Sequence, residues 1–318
     1  SSFSTGVNPG RHGIYDFLRH DLDQRKILFN SATDRKAPPL WVNLGRDGKR
    51  VCVGGLIMTF PPDNVNGLMY SGFAADITTR GDNGETSRSC PPELDAEIQK
   101  DLGVFDAAND IRSEAAFTAE MIRSIEYRIR LYTYLSSREV FDFRMFYFPE
   151  TDHVSHRAFR LRDRTDGIGK LFGEMYDRID DFIGVLCREK DLDIILISDH
   201  GFRPVSRSVS VNNMLERLGY LHYRPLSPGE RIFNLARWAL NRLFASFSND
   251  PLRGLRMNEL LNGIDWTRTR AFYFGTSGGT IFINLKGRSA AGIVDVSEYD
   301  RLCEELANRL REFKDEET

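Results

Sequence analysis

Hydrophobic positions along this 318-residue chain recur with two different periods. Between residues 107 and 135, Ile111, Ala115, Ile122, Ile125, Ile129 and Tyr132 fall three, four or seven apart, the spacing of one helical face. The same spacing predicts a helix over 168–189 (Ile168, Leu171, Met175, Ile179, Phe182, Leu186) and another over 297–314 (Tyr299, Leu302, Leu306, Leu310, Phe313). A short helix is expected at 211–218, with Gly219 placed to stop it. Shorter apolar runs carry the strand signal: VFDFRMFYF at 140–148, ended by Pro149, the run Asp193–Ser198, and TIFINL at 280–285. Strand and helix alternating in this order predict parallel βαβ units, hence an α/β fold with a mostly parallel central sheet and helices on both faces.

Two regions stand outside the alternation. The stretch 81–95, GDNGETSRSCPPELD, is rich in turn formers and is expected to be an exposed loop. Residues 225–265 hold a basic amphipathic stretch between prolines. It reads as a cap or interface helix over one main domain spanning 1–318, with a membrane-surface helix as the other reading.

Composition narrows the function classes. With 41% hydrophobic and 28% charged residues the chain is that of a globular protein. A net charge of −3 gives no basic footprint for nucleic acid. No apolar run reaches the ~18 residues of a membrane span, so neither nucleic acid nor membrane is an expected partner. Cys52, Cys90, Cys187 and Cys303 are scattered without C-x-x-C spacing. This argues against a zinc ribbon or disulfide scaffold and for reduced thiols, with a cytoplasmic location as the expectation.

The candidate chemistry lies where predicted strands end. FDFRMFYF runs into PETDHVSH, supplying Asp152 and His156, and IILIS runs into Asp199, His200 and Gly201. In open parallel sheets, ligands bind beyond the carboxyl ends of strands. Carboxylate with imidazole suits Zn²⁺ or Mn²⁺ better than Mg²⁺. If the chain turns helically at once, D-x-x-x-H places both side chains on one face. A lone D-x-x-x-H or D-H-G is also an ordinary capped turn, and pattern alone leaves both readings open. His12, His20, His153 and His222 have no evident ligand role.

Taken together, TGVNPGRHGIYDF at 5–17, ETDHVSH at 150–156 and ISDHGF at 197–202 resemble the alkaline phosphatase superfamily. The most similar branch is the type I phosphodiesterase/nucleotide pyrophosphatase family. GLIMTFPPDNVNGLMYSGF at 55–73, VNNMLERLGYL at 211–221 and GTIFINLKGR at 279–288 resemble its prokaryotic members. The resemblance covers nearly the whole chain. It implies a two-metal phosphoester hydrolase acting on a small-molecule phosphoester through a Thr or Ser phosphoryl-enzyme intermediate. Asp152 and His156 would bind one divalent ion and Asp199 and His200 the other, zinc first and manganese second.

The same resemblance implies an Asp on an earlier strand, a Thr or Ser nucleophile roughly five residues before Ser1, and a further His after the last helix. Those three groups are expected outside the 318 residues, with Ser1, Ser2, Ser4 and Thr5 in the helix behind the nucleophile. Phe17 stands where many nucleotide pyrophosphatases carry an Asn that contacts a phosphate oxygen, which a phenyl ring cannot do. The alternatives are a sulfatase, a phosphoglycerate-mutase-like enzyme of the same superfamily, or an inactive metal-binding module. The C-x-P-x-R nucleophile motif of sulfatases is absent from these residues.

Overall fold

A computed structural model describes residues 1–23, 26–72, 87–105, 113–205, 209–225, 262–275 and 279–314. The chain divides into two compact units, one comprising Ser1–Ile14 with Ser31–Ser206, the other Tyr15–Asn30 with Arg207–Thr318. Among the described residues no helix is long and apolar enough to cross a membrane, and all four cysteines are free thiols.

The first unit begins with two short helices, α1 (Ser2–Thr5) and α2 (Pro9–His12). Gly6 closes α1 in the left-handed region, and the Asn8 side chain caps α2 by accepting from the Arg11 amide. His12 is buried. Its Nδ1 accepts from the Ile14 amide at 3.1 Å, so its Nε2 carries the proton toward the Ser2 hydroxyl 2.9 Å away. The TGVNPGRHGI segment is therefore held by its own caps and by this histidine.

The strand β1 (Leu18–Asp21) and its partner β2 (Lys26–Phe29) belong to the second unit. In the first unit α3 (Leu40–Arg46) precedes β3 (Val51–Gly54), β4 (Gly67–Tyr70) and β5 (Ser89–Cys90). Helices α4 (Glu93–Leu102) and α5 (Glu114–Ser137) follow, then β6 (Phe143–Phe146), α6 (Glu150–Ala158) and α7 (Gly167–Leu186). The sheet order is β5-β4-β3-β6, with β3 parallel to both β4 and β6 and β4 antiparallel to β5. Strand β3 is buried along its length. Cys52 packs under residues of α4, α5 and α7, whereas Val51 and Val53 pack with Trp41 of α3 on the other face. The mostly parallel sheet with helices on both faces is thus present.

Element bounds moved at their ends. The predicted 107–135 helix starts at Glu114, where the Ser113 side chain caps it, and Ile111 lies outside the described residues. The predicted 168–189 helix runs Gly167–Leu186. The expected loop 81–95 is corrected in its described part, because Ser89–Cys90 pairs with β4 and α4 begins at Glu93. Its residues 81–86 lie outside the described set, as does nearly all of the cap region expected at 225–265.

The predicted strand at 193–198 is also corrected. The segment has no regular secondary structure and joins no ladder among the described residues. At one end Glu189 pairs with Arg144 on β6, and at the other His200 meets Asp152 just beyond β6. The segment's side chains stand in solvent, with Ile195 83% exposed. β propensity reflects packing on a pleated surface rather than a backbone preference, so an apolar run without a ladder partner stays irregular.

The second unit adds α8 (Val211–Arg217), β7 (Ala271–Tyr273), β8 (Ile281–Ile283) and α9 (Tyr299–Glu312) to the β1–β2 pair. Its core joins Leu215, Leu221, Phe272, Ile283 and Leu302. Asn212 of α8 exchanges two hydrogen bonds with the Tyr273 backbone, at 2.7 and 3.1 Å, acting as a one-residue strand partner. His20 stands edge-on to Phe272, Phe274 and Phe282, at 5.3, 5.3 and 4.6 Å, and its Nδ1 is buried without a hydrogen bond. Burial, aided by the Arg288 charge, lowers its pKa to about 4.

Two outcomes follow. Replacing Ile195 and Leu196 together by Lys removes exposed apolar surface of the kind that drives edge association. Self-association in light scattering should fall while the melting temperature holds, whereas a drop of several degrees would show that the run is packed. For His20, the unfolded state binds the proton more readily than the folded state. Its contribution to stability is therefore complete above pH ~6.5 and declines as pH falls toward about 4. His20→Phe should flatten urea-denaturation stability across that window, and an unchanged slope would show that His20 is not its source.

Candidate metal centre

The residues singled out at the two strand exits meet in space. Asp152 and His156 sit one turn apart on α6, with His156 Nε2 3.3 Å from Asp152 Oδ1. His200 Nε2 lies 3.6 Å from the same Asp152 oxygen and 3.7 Å from Asp199 Oδ2. A run of contacts therefore joins all four, although 43 residues separate His156 from Asp199 in sequence. Two ligand atoms on one tetrahedral zinc, each ~2.1 Å from it, lie roughly 3.4 Å apart. The observed spacings are of that order. Even so, among the described residues no three or more His, Cys, Asp or Glu side chains converge closely enough to hold a metal ion as they stand.

Local structure explains the placement. Strand β6 ends at Phe146, and after Tyr147 and Phe148 comes Pro149 as the N-cap of α6, which starts with Glu150. Asp152 in the first turn benefits from the helix dipole. At the other exit, the Asp199 carboxylate accepts from the His200 amide at 3.1 Å. Phe202 packs edge-on against both imidazoles, 5.0 Å from His156 and 5.1 Å from His200. A single phenyl ring thus orients the two candidate ligands from different segments.

Proton positions sharpen the picture. His200 Nδ1 lies 3.2 Å from the Gly201 carbonyl oxygen, which only accepts. Nδ1 therefore carries a proton, and in the neutral ring Nε2 presents a lone pair to Asp152. Asp152 Oδ1 is shielded from water and takes no hydrogen bond. A lone pair facing a carboxylate oxygen is repulsive unless a cation lies between them. The donor set and its bare oxygen fit a divalent cation.

Several residues at the site carried no signal in the hydrophobic pattern. Burial, with the Asp199 and Asp152 charges adding to it, pushes the Tyr147 phenol up to about 12. Glu150 is buried beside Arg128 of α5, with Arg128 Nε donating to Glu150 Oε1 at 2.6 Å. Only the position of Glu150 two residues before Asp152 hinted at a role. Of the remaining histidines, His12 and His20 are engaged as described, and His153 is exposed on α6. The hydroxyls of Ser4 and Thr5 donate to the Ser1 carbonyl, and Ser2 is bonded to His12.

Comparison with solved structures finds phosphonoacetate hydrolase from Sinorhizobium meliloti 1021. Its complex with phosphonoformate matches at TM-score 0.36 and 15% identity over 58% of this chain and 40% of that one. Its complex with phosphonoacetate matches at 0.37 and 18% over the same shares. The matched region thus spans well under half of the hydrolase. Comparison with curated proteins finds no match. The profile of one family, type I phosphodiesterase / nucleotide pyrophosphatase, matches residues 1–317. With a match along essentially its whole length, the chain belongs to the type I phosphodiesterase / nucleotide pyrophosphatase family.

Proposed function

We propose that this chain carries the metal-binding core of a phosphoester hydrolase. Asp152 with His156, and Asp199 with His200, hold divalent cations, zinc first and manganese second. The observation that carries the reading is the bare Asp152 oxygen with two imidazole nitrogens 3.3 and 3.6 Å away. Family membership supplies the reaction class, hydrolysis of a phosphoester bond. Bound divalent ions would supply Lewis-acid stabilisation of charge developing on phosphate oxygens.

The chain's own groups set the conditions for that chemistry. Asp152 and Asp199 give the centre its negative charge. The His200 proton held on the Gly201 carbonyl leaves Nε2 free to ligate. Tyr147 remains protonated at neutral pH and so adds a hydrogen-bond donor rather than a further anion. Ser2, Ser4 and Thr5 direct their hydroxyls to local partners.

Zinc titration by calorimetry tests the centre directly. Asp152→Ala and His200→Ala should each weaken Zn²⁺ binding on the order of 100-fold while leaving the circular dichroism spectrum unchanged. In the intact protein the same substitutions should abolish hydrolysis of bis-p-nitrophenyl phosphate. Comparison with p-nitrophenyl phosphate and p-nitrophenyl sulfate distinguishes a diesterase from a monoesterase or sulfatase. Wild-type affinity and activity in both variants would overturn the reading.

A further inference from the structure

We propose that Ser124, Arg128 and Tyr132 of α5, acting with Glu150, are positioning residues that set where the Asp152–His156 pair stands. This inference rests on the metal-centre reading above and concerns how that centre is held.

The three α5 residues are spaced i, i+4, i+8 and so form one row along the helix. They are buried, in a helix whose other buried positions are mostly apolar. Each spends its polar group on the short connection between β6 and α6. The Tyr132 hydroxyl donates to the Tyr147 carbonyl at 2.5 Å. Arg128 Nε donates to Glu150 Oε1 at 2.6 Å, and the Ser124 hydroxyl donates to the same oxygen. Arg128 also reaches the Tyr132 hydroxyl at 3.3 Å, linking the two anchors. The bend through Phe148 and Pro149 is thereby fixed on both flanks, and Asp152 lies two residues beyond the second anchor.

The row also touches the end of the central strand. At Gly55, just past β3, an added Cβ would lie 2.0 Å from the Tyr132 hydroxyl and 2.8 Å from Arg128 Nη1. The absence of a side chain there is what lets the row reach across β3 to the β6 exit. Stability alone does not demand such a device, because an apolar set of the same volume commonly replaces a buried ion pair without loss. What an apolar set cannot supply is direction. Hydrogen bonds of 2.5 and 2.6 Å fix the first turn of α6, and errors of an ångström in ligand placement are costly.

The double variant Arg128→Met/Glu150→Leu tests this with two readouts on the full chain. Zn²⁺ affinity by calorimetry should fall ~10- to 100-fold. The visible spectrum of the protein titrated with Co²⁺, which reports ligand geometry, should change as well. The melting temperature should stay within a few degrees of wild type. Arg128→Lys keeps the charge but cannot serve Glu150 and Tyr132 together, so it should not restore affinity. A folded double variant with wild-type Zn²⁺ affinity and Co²⁺ spectrum would overturn the positioning role while leaving the metal centre intact. Absence of Zn²⁺ binding by the wild-type chain would overturn the centre and this inference with it. If the double variant does not fold, Tyr132→Phe and Ser124→Ala each remove one hydrogen bond without unpairing a charge. Unchanged affinity in both would then overturn the proposal.

Discussion

The ion pair between Arg128 and Glu150, 3% and 1% exposed, is the contact on which the first unit's working edge depends. Its two partners belong to different elements. Arg128 rises from the long helix that packs over β3, and Glu150 opens the helix that carries Asp152 and His156. Removing one partner of a buried pair leaves an uncompensated charge and typically costs about 3–5 kcal/mol. That is a large share of the 5–15 kcal/mol by which a domain is stable. The pair therefore cannot be left half-made, and the sequence must keep both members or replace both. The same pair ties the carboxyl end of β6 to the helical layer, so the folding of the core and the placement of the candidate ligands share one contact.

Much of this arrangement was legible in the sequence, and the parts that were not share a physical cause. Helices α5, α7 and α9 are long enough for a 3.6-residue period to repeat several times; α7 and α9 were readable within a few residues of both ends, and α5 at its C-terminal end, its start lying seven residues later than expected. Strand β3, the most buried element of the sheet, is only VCVG followed by a second glycine. Four residues without alternation carry no periodic signal, because a strand covered on both faces needs none. Strand β5 is two residues long and owes its existence to β4 beside it. The clamp residues were invisible for another reason. Arg128 and Glu150 are charged, and a pattern that scores burial by apolarity places such residues outside.

The segment Asp193–Ser198 marks the opposite error. Four large apolar residues in a row read as a buried strand, yet the structure leaves them irregular and exposed. Pairing is a property of two segments, and no single segment encodes it. Asp199 and His200 nevertheless arrive at Asp152 because the segment is tied down at both ends, at Arg144 through Glu189 and at Asp152 through His200. The site residues were therefore placed by their anchors even where the strand expected to carry them is absent.

The contact at Asp152 is the observation on which the proposed metal centre rests. A bare buried oxygen is not enough by itself, because Asn284 Nδ2 reaches three backbone carbonyls at 2.9 to 3.2 Å while its Oδ1 also takes no hydrogen bond. At Asp152 the two nearest nitrogens do not make hydrogen bonds to Oδ1, although they lie at 3.3 and 3.6 Å, and the oxygen is shielded from water. In the proposed reading a divalent cation would satisfy the carboxylate and both imidazoles at once. Phe202 stands edge-on to both rings, at 5.0 and 5.1 Å. Two separate segments of the first unit thus bring three side chains together at one oxygen, and the metal centre proposed above rests on that meeting.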